Sequence, residues 1–135
     1  MTWKCTEQDL PWLMELAEKS YGQQMTDAEA SLNWAKQALK SPKVLIVRTN
    51  FAALVAVCAP LFFDPLRPVA TVQFFAGAVW HIPSLFDRAK AWSIEKGAED
   101  WLYFRATTGY DISALAERLG AEPDYPGYKM RLKDV

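Results

Sequence analysis

Apolar residues recur with two periods along this chain, and the alternation between those periods predicts its elements. Leu10, Leu13, Met14 and Ala17 stand at i, i+3, i+4 and i+7, the spacing of one buried helical face. Asp9 in front of them reads as an N-cap, Pro11 is tolerated in the first turn, and Lys19 with Gly22 marks the end. Thr26-Asp27-Ala28-Glu29 reads as a capping box, in which Thr26 and Glu29 each satisfy the other's free backbone donor. It opens a second helix with Ala28, Leu32, Ala35 and Leu39 on one face, closed by Ser41-Pro42. Pro83-Ser84 starts a third, with Leu85, Phe86, Ala89 and Trp92 or Ser93 inward and Gly97 as its stop. A short fourth helix spans Asp111 to Leu119, with Ile112, Leu115 and Leu119 inward and Gly120 beyond.

The remaining apolar stretches are strand-like. Thr2 to Thr6 predicts a short first strand. Val44 to Val47 and Phe51 to Val57 are β-branched-rich runs around a polar turn at Thr49-Asn50, a hairpin covered on both faces. Asp64-Pro65-Leu66-Arg67-Pro68 punctuates next, Val69 to Trp80 predicts another strand, and Trp101 to Ala106 a further one. Tyr128 to Leu132 closes the chain after a Pro126-Gly127 turn. The order β-α-α-β-β-β-α-β-α-β implies an α/β (α+β) fold with a mixed, mostly antiparallel central sheet and helices on both faces. An uninterrupted apolar run such as Phe51 to Val57 belongs in the centre of that sheet, because an edge would expose it.

Composition narrows the function. The chain has 135 residues, which suits a single domain over 1–135, and 51% of them are hydrophobic, so disorder is excluded. Fifteen basic against sixteen acidic residues leave a net charge of -1, with no field for nucleic acid or anionic lipid. The longest apolar run is too short to span a membrane, and no apolar leader precedes the first helix, which together predict a soluble, cytoplasmic protein. A single histidine, His81, and two distant cysteines, Cys5 and Cys58, leave no zinc spacing and no metal site. Cys58, on an apolar strand, is expected to be buried and inert. Whether the two cysteines meet is left open by the sequence.

Three segments carry a family likeness. Asp9-Leu10-Pro11-Trp12-Leu13-Met14-Glu15-Leu16-Ala17, the Phe86 to Ala98 helix ending Lys96-Gly97-Ala98, and Ala114 to Glu122 followed by Tyr128-Lys129-Met130-Arg131-Leu132 resemble, in order and spacing, the GCN5-related N-acetyltransferase (GNAT) fold. The likeness covers nearly the whole chain. It implies acetyl-CoA as cofactor, with its pyrophosphate held on backbone N–H groups of a Q/R-x-x-G-x-G/A loop opening the third helix. The nearest match is Gln73-Phe74-Phe75-Ala76-Gly77-Ala78, which makes Phe75, Ala76, Gly77, Ala78 and Ser84 the candidate cofactor residues. Alanine replaces the first glycine, the match sits early, and Pro83 removes one N–H donor. The tyrosine that many members use as general acid is here Ala116. Tyr110 and His81 are the remaining candidates for proton transfer, since Tyr103, Asp64, Glu99 and Asp100 read as strand or turn residues.

Two independent losses in one site point to a retained fold with eroded machinery. Compact GNAT-like chains of this kind resemble small proteins of tailed bacteriophages, which implies a protein partner, a phage structural protein or a host protein, and a place in the virion or the host cytoplasm. Trp3, Trp12, Trp34, Trp80, Tyr125 and Tyr128 are candidate anchors, with Trp80, Tyr125 and Tyr128 the chosen interface set and at least half of the aromatics expected in the core. The alternatives are an acyl-CoA-dependent N-acetyltransferase with a divergent loop and, more weakly, a CoA or nucleotide sensor. Nucleic-acid binding ranks last, because Arg105, Arg118 and Arg131 form no stripe.

Overall fold

The computed structural model describes residues 1–22, 25–62, 64–105, 111–124 and 127–133. Its strands are β1 (Trp3–Lys4), β2 (Val44–Arg48), β3 (Ala52–Leu61), β4 (Asp64–Gly77), β5 (Trp101–Phe104), β6 (Glu122–Asp124) and β7 (Gly127–Arg131). Its helices are α1 (Leu10–Tyr21), α2 (Ala28–Ala38), α3 (Ile82–Glu95) and α4 (Ser113–Arg118), with 3-10 turns at Glu7–Asp9 and Val79–His81. Among the described residues seven strands join one sheet in the order β1-β2-β3-β4-β5-β7-β6, and only the β4–β5 pair is parallel. The mixed, mostly antiparallel sheet expected from the sequence is therefore present.

Helices cover both faces. On one side α3 and α4 pack Leu85, Phe86, Ala89, Trp92 and Ala116 against Leu54, Ala56, Val72, Leu102 and Phe104. On the other, α1 and α2 pack Leu10, Leu13, Ala35 and Ala38 against Ile46, Ala53 and Val55. Successive residues of β3 serve opposite layers, which is why its sequence is apolar without alternation. Ala52 to Ala56 is buried without interruption, so the central position expected for this strand holds. Cys5 belongs to the α1/α2 layer and Cys58 to the α3 layer, and both are buried free thiols on opposite faces of the sheet.

Several local expectations are corrected. Asp27, not Thr26, caps α2, its carboxylate accepting from the Ala30 amide at 3.0 Å. Asp9 does stand at the N-cap of α1, but its side chain makes no cap bond; the carboxylate accepts from the Thr6 amide at 2.8 Å and pairs with Arg48 at 3.1 Å. Phe51 stands outside β3 and is 62% exposed, because the Thr49 hydroxyl accepts from the Phe51 and Ala52 amides and fixes a turn there. Asp64 to Pro68 is not a separating turn but the start of β4, with Leu61 paired to Asp64. β4 ends at Gly77, three residues before Trp80, and β5 ends at Phe104. The polar run Glu122–Asp124 forms an edge strand that no apolar pattern announces, and Pro123 is tolerated there because an edge needs no donor on its outer side. Of the six tryptophans only Trp92 is buried; Trp34 and Trp80 are exposed and Trp3, Trp12 and Trp101 half-buried.

Candidate functional site

The parallel pair carries the site. Among the described residues, β4 and β5 pair over Ala70–Val72 and Leu102–Phe104. One residue later β4 bulges. Val55 pairs with Phe74 and Ala56 with Val72, which leaves Gln73 as the extra residue. A bulge bends its strand and sharpens the local twist. Beyond it β4 continues to Gly77 while β5 has already ended at Phe104, so a cleft opens between the two.

Two cavities mark this opening. A space of about 490 Å³ at the fork is lined by Thr71, Gln73, Tyr103, Arg105, Asp124 and Tyr128, among others. A second, of about 540 Å³, runs along the free part of β4 between the end of α1 and the starts of α3 and α4. Its lining includes Tyr21, Phe75, Gly77, Val79, Ile82 and Leu115, so it is apolar apart from its rim. Burial raises the Tyr103 hydroxyl above its ordinary range, and the neighbouring Asp124 and Asp100 charges add to the effect.

The hydrogen-bond parity of β4 decides what its backbone can offer. The Ala78 amide donates to the Phe51 carbonyl at 2.9 Å, which fixes residues 74, 76 and 78 as those bonded to β3. Residues 75 and 77 then turn their main-chain groups toward the cleft. The Tyr21 hydroxyl confirms this by donating to the Phe75 carbonyl at 2.7 Å. At the junction with α3, the His81 amide donates to the Ala78 carbonyl at 3.0 Å and the Ile82 amide to the Val79 carbonyl. Pro83 has no donor, and the Ser84 hydroxyl bonds the His81 carbonyl at 2.9 Å. Among the described residues, the Gly77, Val79 and Trp80 amides remain as donors at this turn.

The candidate residues separate into three groups. Phe75 packs into an aromatic cluster, its ring centroid 5.3 Å from Phe86 and 6.3 Å from Phe104. Ala76 is buried in the ladder to β3, and Gly77 with Ala78 abuts Phe51. Trp80 (73% exposed) and Val79 (64%) project at the α3 turn, and His81 beside them sets its ring edge to face with Phe51 at 5.3 Å. The His81 ring thus lies between Phe51 and Trp80, 6.4 Å from the Trp80 ring, while Val79 also lines the second cavity. Tyr128 lies elsewhere, stacked on Phe104 at 5.7 Å and half-buried. Tyr110 and Tyr125 lie outside the described residues. Cys58 is buried and burial raises its thiol pKa, which suits the inert role expected of it. Sequence reading missed Gln73 as a bulge and Tyr21 as the clasp on Phe75; partners 54 positions apart leave no local signal.

Among the described residues no cluster of histidine, cysteine and carboxylate side chains could hold a metal ion, and no helix is long and apolar enough to cross a membrane. The sequence matches no protein-family model and no curated protein. Solved structures do match. A protein named as a transcriptional regulator from Bacillus halodurans is 17% identical and superposes with a TM-score of 0.74 over 96% of this chain and 97% of that one. An aminoglycoside 6'-N-acetyltransferase from Acinetobacter haemolyticus is 18% identical, with a TM-score of 0.70 over 91% of each chain. A GCN5-related N-acetyltransferase from Ralstonia eutropha is 16% identical, with a TM-score of 0.64 over 93% of this chain and 94% of that one. Identities this low speak for architecture alone. Together with the forked parallel pair and the helices on both faces, they establish that this chain has the GNAT fold.

Proposed function

We propose that this chain is a protein-binding module on a GNAT frame, in which the pyrophosphate-binding turn has been replaced by an apolar contact surface. The observation that carries the reading is the use already made of the donors between β4 and α3. A pyrophosphate needs several convergent N–H groups at a helix start. Here Ala78 serves Phe51, His81 and Ile82 close their own turn, and Pro83 has none. The Gly77, Val79 and Trp80 amides are left, and Val79 and Trp80 carry large exposed side chains. We read a turn interrupted by Pro83 and crowded by Val79 and Trp80 as a poor match to a pyrophosphate, and no acyl-transfer step is derived through CoA. Phe51 and Trp80, joined through the His81 ring, and the exposed Val79 supply what an interface centre uses instead, large apolar groups already exposed. The resemblance to small bacteriophage proteins gives the proposal its setting, a partner in a virion or in the host cytoplasm.

The test is calorimetric titration with acetyl-CoA. No binding in the micromolar range is expected. A micromolar dissociation constant that weakens in Ser84→Ala, whose hydroxyl is exposed at the start of α3, would restore the enzyme reading. That second reading, an acyl-CoA-dependent N-acetyltransferase with a divergent loop, has one observation in its favour. Beside the bulge at Gln73 and the fork between β4 and β5 lies a cleft of about 540 Å³.

A further inference from the structure

We infer that copies of this chain associate head to tail, the tip of the β3–β4 hairpin of one copy seating on the Phe51–Trp80 surface of the next. The inference rests on the protein-binding reading above and names the partner as a second copy. Its basis is where the exposed apolar side chains fall. Six of the large ones among the described residues stand at the two ends of one hairpin. Leu61, Phe62 and Leu66 occupy its tip, the last two 85% and 91% exposed, and Phe51, Val79 and Trp80 lie at its other end. The ladder pairs Leu61 with Asp64 at the tip and Ala52 with Gly77 at the far end. At about 3.3 Å per residue, β3 holds the two patches roughly 30 Å apart. One copy cannot bring them together.

The tip projects as an arm. β2 leaves β3 at Val57, with one further bond from the Cys58 amide to the Lys43 carbonyl at 2.9 Å. β5 meets β4 only from Ala70 onward, so among the described residues Ala59–Leu61 pairs with Asp64–Val69 alone. Pro60, Pro65 and Pro68 withhold ladder donors along this arm. A stray strand therefore gains little from its flanks, and recognition falls to the side chains at the tip. Asp64 and Arg67 pair at 3.6 Å and cancel the charge of the arm, and the whole chain carries a net charge of -1. Copies thus meet without repulsion. Each patch presents roughly 400 Å² of apolar surface. A contact covering both, at the roughly 60% apolar share of an interface, buries about 1,300 Å² in total, within the range of specific association. Two different patches make the contact heterologous, so it builds a ring or an open row.

Sedimentation velocity on the full chain and on the Leu66→Asp and Trp80→Asp variants tests this. Both side chains are exposed, so neither change enters the core. The wild-type mass should rise with concentration between about 10 and 300 μM, the range for a contact near the low end of specific interface size. Each variant alone should stay monomeric there, its association at least about ten-fold weaker. An equimolar mixture of the two should form dimers and nothing larger, because one intact tip then meets one intact seat. A wild-type chain that stays monomeric overturns the inference. So does a variant that still associates alone, the mark of one patch pairing with itself. A monomeric chain that binds phosphatidylcholine vesicles, and loses them in Leu66→Asp, overturns it too and assigns the tip to a lipid surface. Its failure is distinct from that of the reading it rests on. A monomeric chain that takes no acetyl-CoA loses this inference alone, whereas one that binds acetyl-CoA at micromolar concentration loses both, since the seat is then a cofactor site.

Discussion

Gly77 and Phe51 meet backbone to backbone. A Cβ at position 77 would overlap the Phe51 carbonyl oxygen and come within 2.5 Å of Ala52 Cα, and Gly77 holds φ +115, a region L side chains rarely enter. The glycine that most resembles part of a phosphate loop is thus required by the contact between the ends of β4 and β3. Gly77→Ala is expected to destabilise the fold by about 3 kcal/mol or more, from backbone strain plus the collision. Urea unfolding reads this directly, and a loss below about 1 kcal/mol would show that the contact is loose. Loss of ligand binding in a Gly77 variant therefore says little about phosphates, whereas Ser84→Ala is the cleaner probe.

Arg48 ties the N-terminal segment to the sheet. Its guanidinium lies 3.4 Å from the Trp12 ring centroid and 5.0 Å from that of Trp3, bonds Asp9 at 3.1 Å and donates to the Thr49 carbonyl at 3.0 Å. Arg48→Met should cost about 2 kcal/mol, because it leaves the largely buried Asp9 carboxylate unpaired and both rings without their cation. Arg48→Lys should recover only part of this, since an ammonium cannot reproduce the planar fork and stack. Equal stability of the Arg48→Lys variant and wild-type protein in urea unfolding would refute the stacked geometry.

The residues that misled sequence reading share one physical cause. Helix faces depend on neighbours within a turn or two, so α1, α2 and α3 could be traced from Leu10, Leu13, Ala35, Leu85 and Phe86. The site depends on register between distant strands. Nothing near Gln73 announces that it is the residue left over opposite Val55 and Ala56, and nothing near Tyr21 announces Phe75. Pro65 and Pro68 speak locally for a turn, yet the chain between them runs on as β4. Glu122–Asp124 pairs with β7 through backbone alone, so its polar side chains gave no strand signal.

The thiol of Cys5 predicts a pH effect. Burial, with a smaller push from Asp9, raises its pKa from 9.0 to about 12, and Arg48 offsets part of this. A raised folded pKa means the contribution is complete below pH 9 and lost as pH climbs toward 12. Over that window wild-type stability should fall more steeply than that of Cys5→Ala, by up to ~1.4 kcal/mol per pH unit. Parallel slopes in denaturant titrations at pH 9 and 11 would contradict the burial. In native protein at pH 8, a thiol reagent should modify Cys5 and Cys58 only as fast as the fold opens, since both are buried.

Trp80 offers the most direct check on the exposed surface. Its side chain is 73% exposed while Trp92, the other tryptophan of this region, is 4% exposed. Trp80→Ala should leave stability within about 0.5 kcal/mol of wild type, as surface substitutions do, whereas Phe86→Ala in the core should cost about 4 kcal/mol. Fluorescence quenching separates the two positions in one sample. Acrylamide reaches Trp80 and Trp34 but not Trp92, so Trp80→Ala should remove a large part of the quenchable emission while the blue-shifted, protected component persists. The opposite pattern, a marked loss of stability with unchanged quenching, would place Trp80 in the core. It would also remove the apolar surface on which the protein-binding reading stands, because Phe51 and Val79 alone flank too small an area to seat the centre of an interface.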